Sequence, residues 1–562
     1  MRREVSVVNK KVCSFPILFA LLALLIGTCA VVFPASAQAA PTSTGSITVS
    51  GTVASSYDAY QIFSANVVDG DSDAKIATDL AWANDAARDA ALPVLHSAGM
   101  PNSQTTAQEA AEWLNTDSHL TSALSAQLAR SLQSSGAEPV ALNAGTAAEL
   151  PCGYWLIVAK DDAIAQGEAG TAPIMALVGG SAVTVKPKAA TPKVAKHVLE
   201  DSTAAWGKAA DATVADDLYW RLSATVPAGL TAYDTYAVQF VDTMSAGLDP
   251  SKVAASMRVY VAAGADGGFD AVPTGKDGHA DTEPAKGWTD ITAQCVTKMA
   301  ADGTFTVRTG DLIAALGGAD AFTAGARVVA VYNAPLSSAC SHGIAKGNPN
   351  EVYLRYPRSP FADQSGDAGF TRTPSDDACA YTWDLALTKR GSDGDKPLAG
   401  AVLSIADDRG RTLAADGTWD AEGKATVTTG EDGRVTVSDV DSGKLKVREL
   451  KAPKGYTAFE GARSVTVKAE GLDVDQVAAA KPKLTITAES PLRADSADGS
   501  TGSLEASLIN TPTGTPPSIT TGGFMPSTGD MAMYAAAAAA VAGAALIVVA
   551  LLVKRGGGSH KE

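Results

Sequence analysis

The stretch "TWDLALTKRG", Thr382–Gly391, decides the fold class, because Trp383, Leu385, Leu387 and Lys389 alternate with Asp384, Ala386, Thr388 and Arg390. Alternate residues of a strand point to opposite faces, so three large apolar side chains share a core face with a lysine. Two later segments repeat the pattern. Leu445, Val447 and Glu449 share a face in "GKLKVRELKAPKGY" (Gly443–Tyr456), as do Leu504, Ala506, Leu508 and Asn510 in "LEASLIN". A lysine, a glutamate and an asparagine are therefore expected inside one β-sandwich.

Burial makes such a trio reactive. Desolvation favours the neutral forms of an amine and of a carboxyl, leaving a nucleophilic lysine beside an acid able to donate a proton. The segments just quoted, with "KPLAGAVLSI" (Lys396–Ile405), resemble the transthyretin-like domains of Gram-positive pilins and surface adhesins. In that family a first-strand Lys and a last-strand Asn join into an isopeptide bond, helped by a Glu before an Ala-Pro-x-Gly-Tyr turn. The resemblance implies that Lys389 and Asn510 are the joined pair and Glu449 the promoting acid.

A second trio lies upstream. "TPKVAKHV" (Thr191–Val198) puts Val194, Lys196 and Val198 on one face, "YAVQFVDTMSAGL" (Tyr236–Leu248) puts Tyr236, Val238, Phe240 and Asp242 together, and "GNPNEVYLRY" (Gly347–Tyr356) aligns Asn350 with Val352, Leu354 and Tyr356. This resembles the middle domain of sortase-assembled pilins, whose isopeptide uses an Asp. The implied residues are Lys196, Asp242 and Asn350, with Asn348 as the fallback. The family often continues Leu-Glu-Tyr-Ser-Asn, where this chain has Leu354-Arg355-Tyr356-Pro357-Arg358.

The first domain is different. It has no lysine before Lys75, so no first-strand amine exists there and no crosslink is expected. Apolar residues recur with helical spacing over Thr105–Gln133, beside strand-like stretches such as "GSITVSG", which makes this domain α+β. "DGDSDA" (Asp69–Ala74) begins like a calcium loop but has Ala74 where Gly is needed, and reads as a turn. Joints rich in Pro, Thr and Gly divide the chain into an α+β domain (40–188), a middle β-sandwich (189–360), a transthyretin-like sandwich (376–510) and a linker (511–524), with a long loop expected over Tyr356–Asp377. The fold class is thus mainly β: tandem immunoglobulin-like or transthyretin-like sandwiches behind an α+β domain.

Both ends carry address signals. Residues 1–39 have a basic start, an apolar stretch and small residues at "ASAQAA", the layout of a cleaved signal peptide. At the other end "MPSTG" (Met525, Pro526, Ser527, Thr528, Gly529) precedes an uncharged apolar stretch, Met531–Val553, and a basic tail, 554–562. That stretch is long enough to span a bilayer. The order resembles the sorting signal of proteins joined to Gram-positive cell walls by sortases, with Met525 in place of the usual Leu. The resemblance implies cleavage after Thr528, which a sortase cysteine holds as a thioester until an amine takes it. In pilus subunits that amine is a lysine in a Trp-x-x-x-Val-x-Val-Tyr-Pro-Lys motif. "GGSAVTVKPK" keeps Val183, Val185, Pro187 and Lys188, while Gly179 and Lys186 replace the Trp and Tyr. Lys188 is the implied intersubunit lysine.

The whole chain has 562 residues, 46% of them hydrophobic, and a net charge of −16, which argues against nucleic acid as a partner. Four cysteines outlast the signal peptide into an oxidising compartment and allow three full pairings. Cys340 with Cys379, flanking the boundary between the second and third domains, is the favoured pair. The six histidines are scattered without ligand spacing, so no metal, no cofactor and no enzyme activity are expected. The expectation is a major-type pilus subunit on the cell wall, held in the membrane as a precursor. Its partners are a sortase, further copies and other pilin subunits, and peptidoglycan. The alternative is a monomeric wall-anchored adhesin, which adds a host surface ligand such as a matrix protein.

Overall fold

The computed structural model describes residues 43–514, apart from 72–73, 117, 188–190, 215, 265–286 and 323. The signal peptide, Lys188, the Met525–Gly529 motif and the stretch 531–553 lie outside the described residues. Among the described residues no helix is long and apolar enough to cross a membrane.

In the first domain a five-stranded sheet is covered on both faces. Its strands run in the order Lys75–Trp82, Ser56–Asp69, Gly153–Ala159, Ile174–Val178, with Val140–Asn143 also on Ser56–Asp69. Alternation along Gly153–Ala159 sends Leu156 and Val158 against the helices Asp85–Ser97, Ala107–Asn115 and Ser122–Ser134. Trp155 and Ile157 face the opposite way, toward a three-stranded sheet that contains Thr44–Val49 and Val183–Val185. The helical stretch expected over Thr105–Gln133 is two helices. Thr106 and Glu109 form a capping box at the first, and Thr121 caps the second by accepting from Leu124 N at 3.1 Å.

The middle domain is a sandwich of two sheets, antiparallel apart from one parallel pair at an edge. One runs Ala205–Gly207, Lys193–Glu200, Tyr219–Val226, Ala326–Asn333, Arg258–Ala263, Thr289–Asp290. The other contains Asp376–Tyr381, Asn348–Pro357, Gln239–Met244 and Thr304–Arg308, with Ala209–Asp211 at one edge and Val296–Met299 at the other. This moves the expected boundary: Asp376–Tyr381 pairs antiparallel with Asn348–Val352 and parallel with Ala209–Asp211, so it closes the middle sheet rather than opening the third domain. The expected loop over Tyr356–Asp377 is also partly strand, since Phe370–Arg372 folds back on Arg355–Pro357.

The third domain is the second sandwich. Trp383–Gly391 lies between Arg434–Val440 and Ser503–Pro512, parallel to the latter, and Val402–Ala406, Gly443–Lys451, Ala462–Glu470 and Lys483–Ala488 form the facing sheet. Its last strand runs beyond Asn510, with Thr511 and Pro512 opposite Thr457 and Tyr456.

Cys152, Cys295, Cys340 and Cys379 are free thiols, so the expected Cys340–Cys379 disulfide is absent. The reason is direction. Cys340 turns its sulfur to Asp439 of the third domain, while Cys379 is buried in its strand with its thiol toward the Ala380 carbonyl.

Candidate functional site

In the third domain the three core faces meet as strand parity requires. The side chains of Lys389 and Glu449 are fully buried, and Asn510 is buried beside them. Lys389 and Asn510 come from one sheet and Glu449 from the other. Lys389 Nζ donates to Leu508 O at 3.0 Å and lies 3.8 Å from Glu449 Oε1. Asn510 Nδ2 donates to Glu449 Oε1 at 2.9 Å and Oε2 at 3.0 Å, and Phe459 N donates to Oε2 at 3.2 Å. Asn510 Oδ1 is left without a partner. An orphaned buried carbonyl costs about 1–3 kcal/mol. Burial pulls the Lys389 amine down to about 8 against the opposing pull of Glu449.

The middle domain builds its cluster differently. Lys196 and Tyr332 come from one sheet, Asp242 and Asn350 from the other, and all four are fully buried. Lys196 Nζ is paired with Asp242 Oδ2 and also donates to the Tyr332 hydroxyl at 2.9 Å. That hydroxyl donates to Asp242 Oδ2 at 2.9 Å and accepts from Asn350 Nδ2 at 2.8 Å. Lys196 Nζ also sits 5.5 Å from the ring centres of Trp220 and Tyr332. Burial draws the lysine down to about 8 and raises the Asp242 carboxyl, so desolvation moves both toward their neutral forms despite their mutual attraction. Asp242 Oδ1 and Asn350 Oδ1 have no hydrogen-bond partner.

Tyr332 is the residue that sequence reasoning missed. Every residue of its strand, Ala326–Asn333, is buried, so alternation could not single out one face. Its hydroxyl connects the amide of Asn350 to the acid. The fallback Asn348 is committed elsewhere, accepting from Ser341 N at 2.8 Å and donating to Ser341 O and Ala380 O.

The first domain has no comparable trio among its described residues. Lys75 is buried, its amine donating to Gly179 O at 2.5 Å, Ser181 O at 2.6 Å, Ser181 Oγ at 3.1 Å and Asp69 Oδ1 at 3.3 Å. Gly179, which stands where the motif has Trp, is closely packed. A Cβ on Gly179 would lie 2.6 Å from Val67 Cβ and 2.8 Å from Cys152 Sγ, at a backbone φ of +132°, so no side chain fits. Val183–Val185 is a strand, with Val185 and Pro187 buried and Lys186 exposed.

Comparison with known proteins bears on the third domain first. Residues 384–481 match the family described as SpaA, a prealbumin-like fold domain. A curated relative, the trypsin-resistant surface T6 protein of Streptococcus pyogenes serotype M6, is 32% identical over 120 residues, which is 20% of this chain and 20% of that protein. The match therefore spans a fifth of that relative's length. Among solved structures, the T6 backbone pilin of serotype M6 Streptococcus pyogenes covers 84% of this chain and 98% of its own, at 16% identity and a TM-score of 0.45. The full-length major pilin SpaD of Corynebacterium diphtheriae gives the same coverage at 15% identity and a TM-score of 0.40.

Proposed function

Because the third domain belongs to the SpaA prealbumin-like family and the chain is related to Gram-positive pilins, we propose that this protein is a structural subunit of a covalently polymerised cell-surface pilus. Two intramolecular isopeptide bonds, Lys389 to Asn510 and Lys196 to Asn350, stabilise the subunit. The observation that carries this reading is the convergence, in two separate sandwiches, of a buried lysine, a buried acid and a buried asparagine. Ion pairs sealed in a core are at best marginally favourable, so two such trios serve chemistry better than stability.

In each site the neutral lysine nitrogen attacks the asparagine Cγ, a new C–N bond forms, and the amide nitrogen leaves as ammonia. The acid takes the proton from the amine and delivers one to the departing nitrogen. Glu449 does this by direct contact with the amide. Asp242 works through the Tyr332 hydroxyl. Proximity held by the strands supplies what a poor amide electrophile lacks.

Between copies the chemistry is a sortase's. Cleavage after Thr528 leaves a thioester, and Lys188 of the next copy takes the acyl group, so subunits join in single file. The last copy passes to a peptidoglycan amine. Immunoblots of wall extracts boiled in detergent test this: a high-mass ladder is expected, and a single main species would point instead to a monomeric wall-anchored adhesin.

A further inference from the structure

A thiol, an imidazole and two carboxylates from different domains meet where the second sandwich joins the third. The middle-domain loop between Asn333 and Asn348 lies on the rim of the third domain. There Gly343 N donates to Thr382 O at 3.1 Å, Ile344 N to Gly499 O at 3.0 Å and Ala345 N to Ser500 O at 3.2 Å. The approach is close: a Cβ on Gly343 would lie 2.5 Å from Gly502 N. From this loop the Cys340 thiol donates to Asp439 Oδ1 at 3.1 Å. His342 Nε2 lies 2.9 Å from the same oxygen and 4.0 Å from Cys340 Sγ. The other ring nitrogen, Nδ1, is 3.2 Å from Asp384 Oδ2. Cys340, His342 and Asp439 are all half-buried.

We propose that Cys340, His342 and Asp439 bind a zinc ion that fastens the middle domain to the third. The spacing fits. Zinc bonds of ~2.0–2.3 Å at tetrahedral angles hold neighbouring ligand atoms roughly 3.3–3.6 Å apart. The three separations here, 2.9, 3.1 and 4.0 Å, straddle that range. The ligand set also fits: a thiolate and an imidazole suit zinc, whereas calcium and magnesium take oxygen ligands. Asp384 supplies the outer contact that zinc-binding histidines almost always have, accepting from Nδ1–H so that the Nε2 lone pair faces the metal. On binding, the thiol loses its proton to solvent and the metal takes that proton's place beside Asp439. Water fills the fourth position on the exposed side. The histidine spacing looked empty in the sequence because two of the four groups arrive from another domain.

Cobalt(II) serves as the spectroscopic probe, added to the full chain without a polyhistidine tag. One equivalent is expected to bind, with tetrahedral d–d bands and a thiolate-to-cobalt charge-transfer band, and one equivalent of zinc should displace it. Cys340→Ser should remove the charge-transfer band, and His342→Ala should abolish stoichiometric binding. Asp384→Asn should weaken zinc about 10–100-fold. In the unaltered protein, zinc should also protect Cys340 from iodoacetamide, read by peptide mapping. Absence of stoichiometric binding, an octahedral spectrum without the charge-transfer band, unchanged affinity in His342→Ala, or full alkylation of Cys340 at saturating zinc would each overturn the proposal.

Discussion

Lys389 and Asn510 converge on a single atom: the amine lies 3.8 Å from Glu449 Oε1, and the amide nitrogen donates to the same oxygen at 2.9 Å. One carboxyl oxygen therefore stands between the lysine amine and the asparagine amide nitrogen. In the proposed crosslinking reaction, that oxygen offers a proton taken from the amine a direct route to the departing nitrogen. The middle domain has no such shared atom for Lys196 and Asn350 on its acid, because Asn350 bonds to the Tyr332 hydroxyl, and that hydroxyl in turn donates to Asp242.

Intact mass spectrometry of the full chain should show a mass lower than the sequence by one ammonia per bond, with two bonds expected. Glu449→Ala should restore the ammonia of the third domain alone, and Asp242→Ala that of the middle domain alone. A mass equal to the sequence would refute both bonds.

Tyr332→Phe should slow the middle-domain bond without touching the other. It removes the donor to Asp242 and the acceptor for Asn350, leaving buried polar groups unpaired at a cost of about 1–3 kcal/mol each. Time-resolved mass analysis during refolding should show one bond forming as in the unaltered chain and the other lagging. Equal rates for the two bonds would exclude a proton relay through the phenol.

A chain with Asn510→Ala keeps Lys389 as a buried amine, drawn from its ordinary 10.5 to about 8 by desolvation. Below about 8 both folded and unfolded chains hold the proton, so this group gives no slope. From about 8 to 10.5 the unfolded chain binds a proton that the folded chain has shed, so stability rises with pH, by on the order of a few kcal/mol. Denaturant titrations across that window should show the rise. The double variant Lys389→Met, Asn510→Ala should lack it, and a flat profile in the single variant would contradict a desolvated amine.

Lys188→Ala should abolish the high-mass ladder while both intramolecular bonds still form, since those lie in other domains. Lys186 is exposed, and so is Lys193, so either is near enough to substitute. Peptide mapping of the junction is decisive: a Thr528 link to Lys186 or Lys193 would show that a different lysine joins the subunits.

Much of both candidate sites was legible in the sequence, because the facing of a strand residue is a local property. A period of two places Lys389 with Trp383 and Leu387, and Asn510 with Leu508, wherever the strand ends up. What only the tertiary structure decided depends on how distant segments approach one another. The helical stretch divides at Thr121 because a side-chain cap there outweighs continuation. Asp376–Tyr381 closes the middle sheet because Ala209–Asp211 offers it a free edge. Tyr332 joins Lys196, Asp242 and Asn350 from a strand whose residues are all buried, where periodicity carries no signal. Cys340 turns away from Cys379 to join His342, Asp439 and Asp384 because its loop docks on the third domain. Alternation records which side of a strand faces inward; which partners wait there is settled by non-local packing.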